Sequence, residues 1–329
     1  MPRLLEVLAI SLPVFALIAL GVALRHSGRM GDEHQRFLTW FINTFALPAL
    51  IFVGVARQDF GELIDLPVIA STLGGTAVLL LFGLLVGRLM RLPPTLLGPA
   101  SFCAYWSNVT YMGFPLARNA YGEPGFAVGA IVNAFTMPVF VVSGIVTAQI
   151  LSRRGRLAPL RILRGALANP IVLAALIGIV ASLLFHWAPL QHAYTGSNWF
   201  GHAARPTVLI VRRCLESIGQ VGLPMALIAI GHALRWQAVR SHRLLLVWTV
   251  PATTVLAPLL TWAALRLVFG VADPVSVTVA ALLMGTPCAV ACYVIGRDQG
   301  MDGPFIAAHL TISTIVSCIT LPLWLYVLL

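Results

Sequence analysis

Long apolar stretches alternate with short polar ones from one end of the chain to the other. Ten apolar segments can be drawn, at about 5–24, 37–56, 66–89, 95–120, 125–151, 166–187, 207–234, 243–268, 274–296 and 303–328. Most approach the roughly 20 residues that an α-helix needs to cross a bilayer. They run well past the roughly ten residues of a barrel strand and do not alternate in polarity, so the pattern predicts helices and not a membrane β-barrel. Pro13 lies inside the first segment, and no convincing small-x-small cleavage site precedes Arg25. That segment therefore reads as a membrane span and not as a cleaved leader.

Composition strengthens this reading. Of 329 residues, 59% are hydrophobic and 10% charged, against about 25% charged in an average soluble domain. So few charges cannot cover the outside of a soluble protein, and the class is an all-α integral membrane protein. All 21 basic residues are arginine, which removes a Walker A loop and lysine Schiff-base chemistry. The motifs HExxH and GxSxG are missing as well, which argues against an enzyme. Cys103, Cys214, Cys288, Cys292 and Cys318 form no CxxC pair. They read as small apolar side chains, with no metal and no cofactor expected.

Net charge is +10. In a membrane protein it first sets orientation, and no nucleic-acid partner is expected. The termini and the loops after spans 2, 4, 6 and 8 carry seven arginines and seven acids; the other loops carry fourteen arginines and four acids. The arginine-rich side should be cytoplasmic, with both termini on the other side, in a bacterial inner membrane. Residues 152–165, with five arginines, read as a cytoplasmic joint between 1–151 and 166–329, and anionic lipid heads are its secondary partner. The longest outer loop falls at about 188–206. Gly83-x-x-x-Gly87 and Gly125-x-x-x-Gly129 permit close helix packing; they admit a homodimer without establishing one.

The halves echo one another. Met112-Gly113-Phe114-Pro115 recurs as Met284-Gly285-Thr286-Pro287, 172 residues later, and Ala46-Leu47-Pro48-Ala49 resembles Gly222-Leu223-Pro224-Met225, 176 residues later. Met137-Pro138 has a counterpart in Leu321-Pro322. Two five-span units follow, and because five is odd the second enters the membrane inverted. Inverted repeats with interrupted spans are a signature of secondary transporters. Proline removes a donor and glycine loosens the backbone, so spans 4 and 9 are expected to break at these motifs. Freed backbone groups are tolerable only inside protein or beside a polar cavity, and the N-terminal ends of the second half-helices favour an anion there. The expected substrate site is Asn108, Thr110, Tyr111, Gly113, Pro115, Gly285, Thr286 and Pro287, with the Asn108 amide as donor or as cap of the broken helix. No acid lies mid-span, which argues against a carboxylate proton relay. His309 is a candidate proton site, or else a packing residue.

The residues Asn108-Val109-Thr110-Tyr111-Met112-Gly113-Phe114-Pro115, followed by Ala120-Tyr121-Gly122, resemble the fourth-span motif of the auxin efflux carrier family. That family holds the plant PIN auxin carriers and bacterial permeases for malate, malonate and similar acids. Asn43-Thr44-Phe45-Ala46-Leu47-Pro48, Thr286-Pro287-Cys288-Ala289 and Ile312-Ser313-Thr314 look like its second, ninth and tenth spans. The resemblance implies a ten-span fold related to bile-acid symporters and sodium–proton antiporters. In it spans 4 and 9 cross, and a transport part moves against a scaffold. It implies a small organic acid as substrate, with the coupling ion, sodium or proton, left open. The plant carriers' long central loop is absent. The leading function is a secondary carrier of small organic anions working by alternating access; an anion channel is the first alternative, a membrane-embedded enzyme or receptor the next. A reporter active only in the cytoplasm, fused after Leu329, should stay silent; a strong signal reverses the orientation.

Overall fold

A computed structural model of the chain describes residues 2–56, 65–152, 170–186, 199–235, 239–298 and 301–329. Nearly all of the central joint and the first part of the outer loop lie outside the described residues. Among the described residues the regular structure is helical, apart from one isolated antiparallel bridge between Ser107 and Cys288. Among the described residues, seven helices are long and apolar enough to cross a membrane, and Pro170–Leu183 and Pro274–Met284 are shorter apolar helices. Their outward faces are apolar: Leu81, Leu85, Ile177, Val247, Leu267 and Ile319 are all exposed. Such a surface suits lipid and not water.

In chain order the helices are α1 (Pro2–His26), α2 (Asp32–Phe41), α3 (Leu47–Ala56), α4 (Leu66–Leu89), α5 (Pro94–Cys103) and α6 (Phe114–Ser152). They continue with α7 (Pro170–His186), α8 (Trp199–Ala233), α9 (Arg243–Pro251), α10 (Ala257–Ala263), α11 (Pro274–Met284), α12 (Val290–Asp298) and α13 (Gly303–Leu328). Gly122, with φ of 62°, turns the chain inside α6 and divides it in two. Glycine adopts that left-handed conformation without steric cost.

Three prolines follow one rule. Pro48, Pro115 and Pro258 each stand two residues after a five-residue π-turn, at Ile42–Ala46, Val109–Gly113 and Ala252–Leu256. A proline has no N–H for the carbonyl four residues back and clashes with it. The wider π-turn moves that carbonyl aside and the helix goes on. Behind Pro258 the freed Thr254 carbonyl accepts from Trp324 Nε1 at 3.2 Å.

This places the first interruption away from where sequence alone puts it. Pro115 lies within a continuing helix, and the chain is broken at residues 104–108, seven to eleven residues earlier. The second interruption, at residues 285–289, does contain Gly285 and Pro287. The paired bridge residues Ser107 and Cys288 are 181 apart (288 − 107), against 172 for the two copies of Met-Gly-x-Pro.

The helices form two packed groups. In one, α1, α3, α7 and α8 approach through glycines: a Cβ at Gly21 would lie 2.1 Å from the Ile228 carbonyl oxygen, and one at Gly231 2.0 Å from that of Ile18. Gly219 meets Leu50, and Gly178 meets Val55. In the other, α4, α5, α6, α10 and α11 surround the interruptions. The glycines expected to permit close packing do so within the chain, Gly83 against Ser101, Gly87 against Leu97, and Gly125 against the Ala117 carbonyl. Gly21→Ala or Gly231→Ala forces a methyl into backbone that cannot yield, at a cost of about 1–3 kcal/mol. Each should lower the melting temperature of the detergent-purified protein, whereas Gly74→Ala, with open space around it, should not.

Candidate functional site

The two interruptions pair with each other. Asn108 N–H donates to the Pro287 carbonyl at 2.8 Å, and Ala289 N–H to the Trp106 carbonyl at 3.1 Å. Side chains hold most of the remaining freed groups. Ser107 Oγ donates to the Met284 carbonyl (2.6 Å), Thr253 Oγ1 to the Cys103 carbonyl (2.7 Å), and Cys288 N–H to Ser313 Oγ (3.2 Å). The two interruptions thus satisfy part of each other's backbone, with the preceding turns, Thr253 and Ser313 taking other groups, as burial requires.

Beyond the crossing the chain re-enters helix at Val109 and at Val290, and both starts open on one cavity of 200 Å³. Asn108, Val109, Thr110 and Tyr111 line it from one side, and Ala289, Val290 and Ala291 from the other. The first turn of a helix leaves N–H groups without intrahelical partners, so both starts offer donors and a partial positive charge. Asn43, Asn133, Trp106 and Thr39 are further polar or hydrogen-bonding residues of the wall, and among the described residues no acid lines it.

Asn108 serves two ends. Its Oδ1 accepts from Tyr111 N–H at 3.3 Å and caps the new helix. That contact fixes the amide, and its Nδ2 is buried with no hydrogen-bond partner. Asn133 behaves alike: Oδ1 accepts from Thr110 Oγ1 at 2.9 Å, and Nδ2 is buried without a partner. Trp106 Nε1 is a third such donor. An unmet buried donor costs about 1–3 kcal/mol, and here three fall on residues of one cavity wall. Tyr111 reaches across to the other helix group, donating its hydroxyl to Asn43 Oδ1 at 2.9 Å.

Thr39, Asn43 and Val290 also border a wider vestibule of 660 Å³. Its rim carries Asp32, Arg36 and Arg235. Arg235 pairs with Asp32 at 3.0 Å, while Arg36 makes no ion pair among the described residues. These rim arginines belong to the arginine-rich side. A separate pocket of 240 Å³, lined by Pro13, Pro115, Asn119 and Pro224, lies between α1, α6 and α8. It is closed at one edge by Asn119 Nδ2 donating to the Ile10 carbonyl at 3.0 Å.

Of the residues expected from sequence, Asn108, Thr110 and Tyr111 line the cavity. The others are near the crossing but not in the cavity wall. Gly113 admits Leu283, Gly285 abuts Pro258, Thr286 bonds the Leu283 carbonyl at 2.6 Å, and Pro287 supplies its carbonyl to Asn108. Pro115 lines the separate pocket. His309 is fully buried in α13, off the cavity. Sequence reasoning missed Asn133, Trp106 and the role of Asn43. An amide inside an apolar span was the available signal for the two asparagines; nothing local marks Trp106.

The membrane transport protein family matches residues 7–325. A "Putative malonate transporter" of Rhizobium meliloti (strain 1021) is 29% identical over 98% of this chain and 96% of its own length. An "Uncharacterized transporter" of Methanothermobacter thermautotrophicus is 26% identical over 96% and 97%. With a match over nearly its whole length, an all-helical fold and apolar outward faces, this chain belongs to the membrane transport protein family, the auxin efflux carrier family of its sequence motifs.

Proposed function

We propose that this chain is a secondary carrier of small organic anions. It crosses the membrane ten times as two inverted five-helix units, 1–151 and 166–329, with the short elements α5 and α11 completed by the helices that follow their interruptions. The observation that carries the anion reading is the set of three buried donors without partners, Asn108 Nδ2, Asn133 Nδ2 and Trp106 Nε1, on a cavity free of acids between two helix N-termini. A carboxylate brings acceptors only, and charge-assisted hydrogen bonds are about twice as strong as neutral ones. The likeness to a protein named for malonate makes a short dicarboxylate the first ligand to test.

Alternating access is supported by the asymmetry of the openings. The cavity continues into the vestibule on the arginine-rich side, which the charge rule assigns to the cytoplasm; its rim arginines draw anions inward. The cavity lies between the two helix groups, with Asn43 and Ile171 from one and Asn108, Asn133 and Ala291 from the other. Sliding one group past the other would close the vestibule and open the separate pocket, carrying the crossing as a unit.

Two experiments test this. In binding to malonate and related acids, Asn108→Ala should lose about 1.5–3 kcal/mol, roughly ten- to a hundredfold in affinity. Asn108→Asp keeps the helix cap, since Asp is as good an N-cap as Asn. It replaces the donor by a negative charge, so it should melt like wild type and bind worse than Asn108→Ala. Wild-type affinity in a well-folded Asn108→Asp removes Asn108 from the site. The second experiment puts a cysteine at Ala291 in a background without native cysteines. An impermeant thiol reagent should reach it from the arginine-rich side and not from the other, and substrate should slow the reaction. Labelling from both sides at once describes a channel instead.

A further inference from the structure

Behind the cavity floor, next to Ser107 and Ala289, three chemically soft side chains meet. Cys103 ends α5, Cys288 lies in the second interruption, and His309 is on α13. All three are fully buried, and their Sγ and ring nitrogen atoms lie within 4.8 Å of one another. The sequence hides this: Cys103 and Cys288 are 185 residues apart and form no recognisable ligand spacing.

A second observation is independent of the spacing. Neither His309 nitrogen has a hydrogen-bond partner, though the ring is completely enclosed. Buried imidazoles are ordinarily bonded through at least one nitrogen, because burying a polar group without a partner is costly. The ring is packed by Phe305 at 6.1 Å between centroids, and the polar atoms it meets in the cluster are the two thiols. Two thiols and an imidazole without another partner are a donor set that soft divalent metals favour.

The dimensions agree. In a tetrahedral zinc site with Zn–S of about 2.3 Å, neighbouring sulfurs stand about 3.8 Å apart. Cys103 Sγ and Cys288 Sγ are 3.9 Å apart, too far for a disulfide and at the spacing of one tetrahedral edge. Cys292, four residues after Cys288, is fully buried as well. We propose that Cys103, Cys288 and His309 bind a thiophilic d10 dication such as zinc.

Charge favours this stoichiometry. On binding, Cys103 and Cys288 each release a thiol proton to water, and His309 binds as neutral imidazole. The two thiolates cancel the 2+ charge, so a neutral unit is buried and the Born cost of an isolated ion does not arise. The cluster lies next to the cavity, since Ser107 and Ala289, the neighbours of Cys288 across and along the crossing, line it. Once bound it would tie the end of α5, the second interruption and α13 together. It would act as a staple on the crossing, apart from the carboxylate site.

The test uses the full chain, reduced and freed of metal, with the exposed Cys214 and Cys318 changed to serine. Cobalt is the probe. One equivalent should give the visible bands of tetrahedral cobalt with thiolate charge transfer, zinc should bleach them, and zinc should raise the melting temperature. Cys288→Ser and His309→Gln should each weaken cobalt binding by about tenfold or more and abolish the zinc-induced shift. The metal-free melting temperature of each reports folding, and Cys103→Ser replaces either that fails to fold. Absence of a thiolate–cobalt band in the folded protein overturns the proposal. So does a band that survives both substitutions. Organic-acid binding is read separately on the same samples, so failure of either idea leaves the other standing.

Discussion

A backbone N–H or C=O buried in an apolar interior must find a partner, and no water is on hand in a bilayer to supply one. Most of this chain meets that demand with unbroken helix. Two places do not, and each is the other's remedy. Residues 104–108 and 285–289 run antiparallel and exchange two backbone hydrogen bonds, flanked by hydroxyls of Ser107, Thr253 and Ser313 that take up much of what remains. Neither interruption would be tolerable alone. The rest of the interior is arranged around this mutual satisfaction: α6 and α11 close over it through Gly113, and α13 supports it through Ser313.

The same solution shapes the candidate site. A helix that stops and restarts presents first-turn donors at the restart, and both restarts face one cavity. Asn108 shows how one residue divides its amide. Its oxygen is used in capping, and its buried nitrogen has no hydrogen-bond partner. Asn133 and Thr110 repeat the division. The hydroxyls of Thr72, Thr76, Thr136 and Thr314, by contrast, donate to carbonyls of their own helix.

Close helix contact without a hydrophobic drive depends on small residues. In the group of α1, α3, α7 and α8 glycines meet backbone directly, so those helices are locked at fixed separation. Across the boundary between the groups the contacts include longer polar reaches, among them Tyr111 to Asn43 and Asn119 to Ile10. Such contacts can be exchanged for water or for others at little cost, unlike the glycine-to-backbone contacts inside the first group.

The apolar segments, their lengths and the shortage of charge determined by themselves that this is a helical membrane protein, because burial in lipid is a property of composition. Gly285 and Pro287 likewise announced the second interruption, since both weaken a helix locally. The first could not be read this way. Ala104-Tyr105-Trp106-Ser107-Asn108 contains neither glycine nor proline, and it leaves the helix because the opposite strand offers it partners. Pro115, the residue that looked like a breaker, is absorbed by a π-turn. The gathering of Asn43, Trp106, Asn108 and Asn133 on one cavity, and of Cys103, Cys288 and His309 behind it, joins residues tens to hundreds of positions apart. Only the tertiary structure decides such meetings, because the energies that select them are contacts between segments and not preferences of any one.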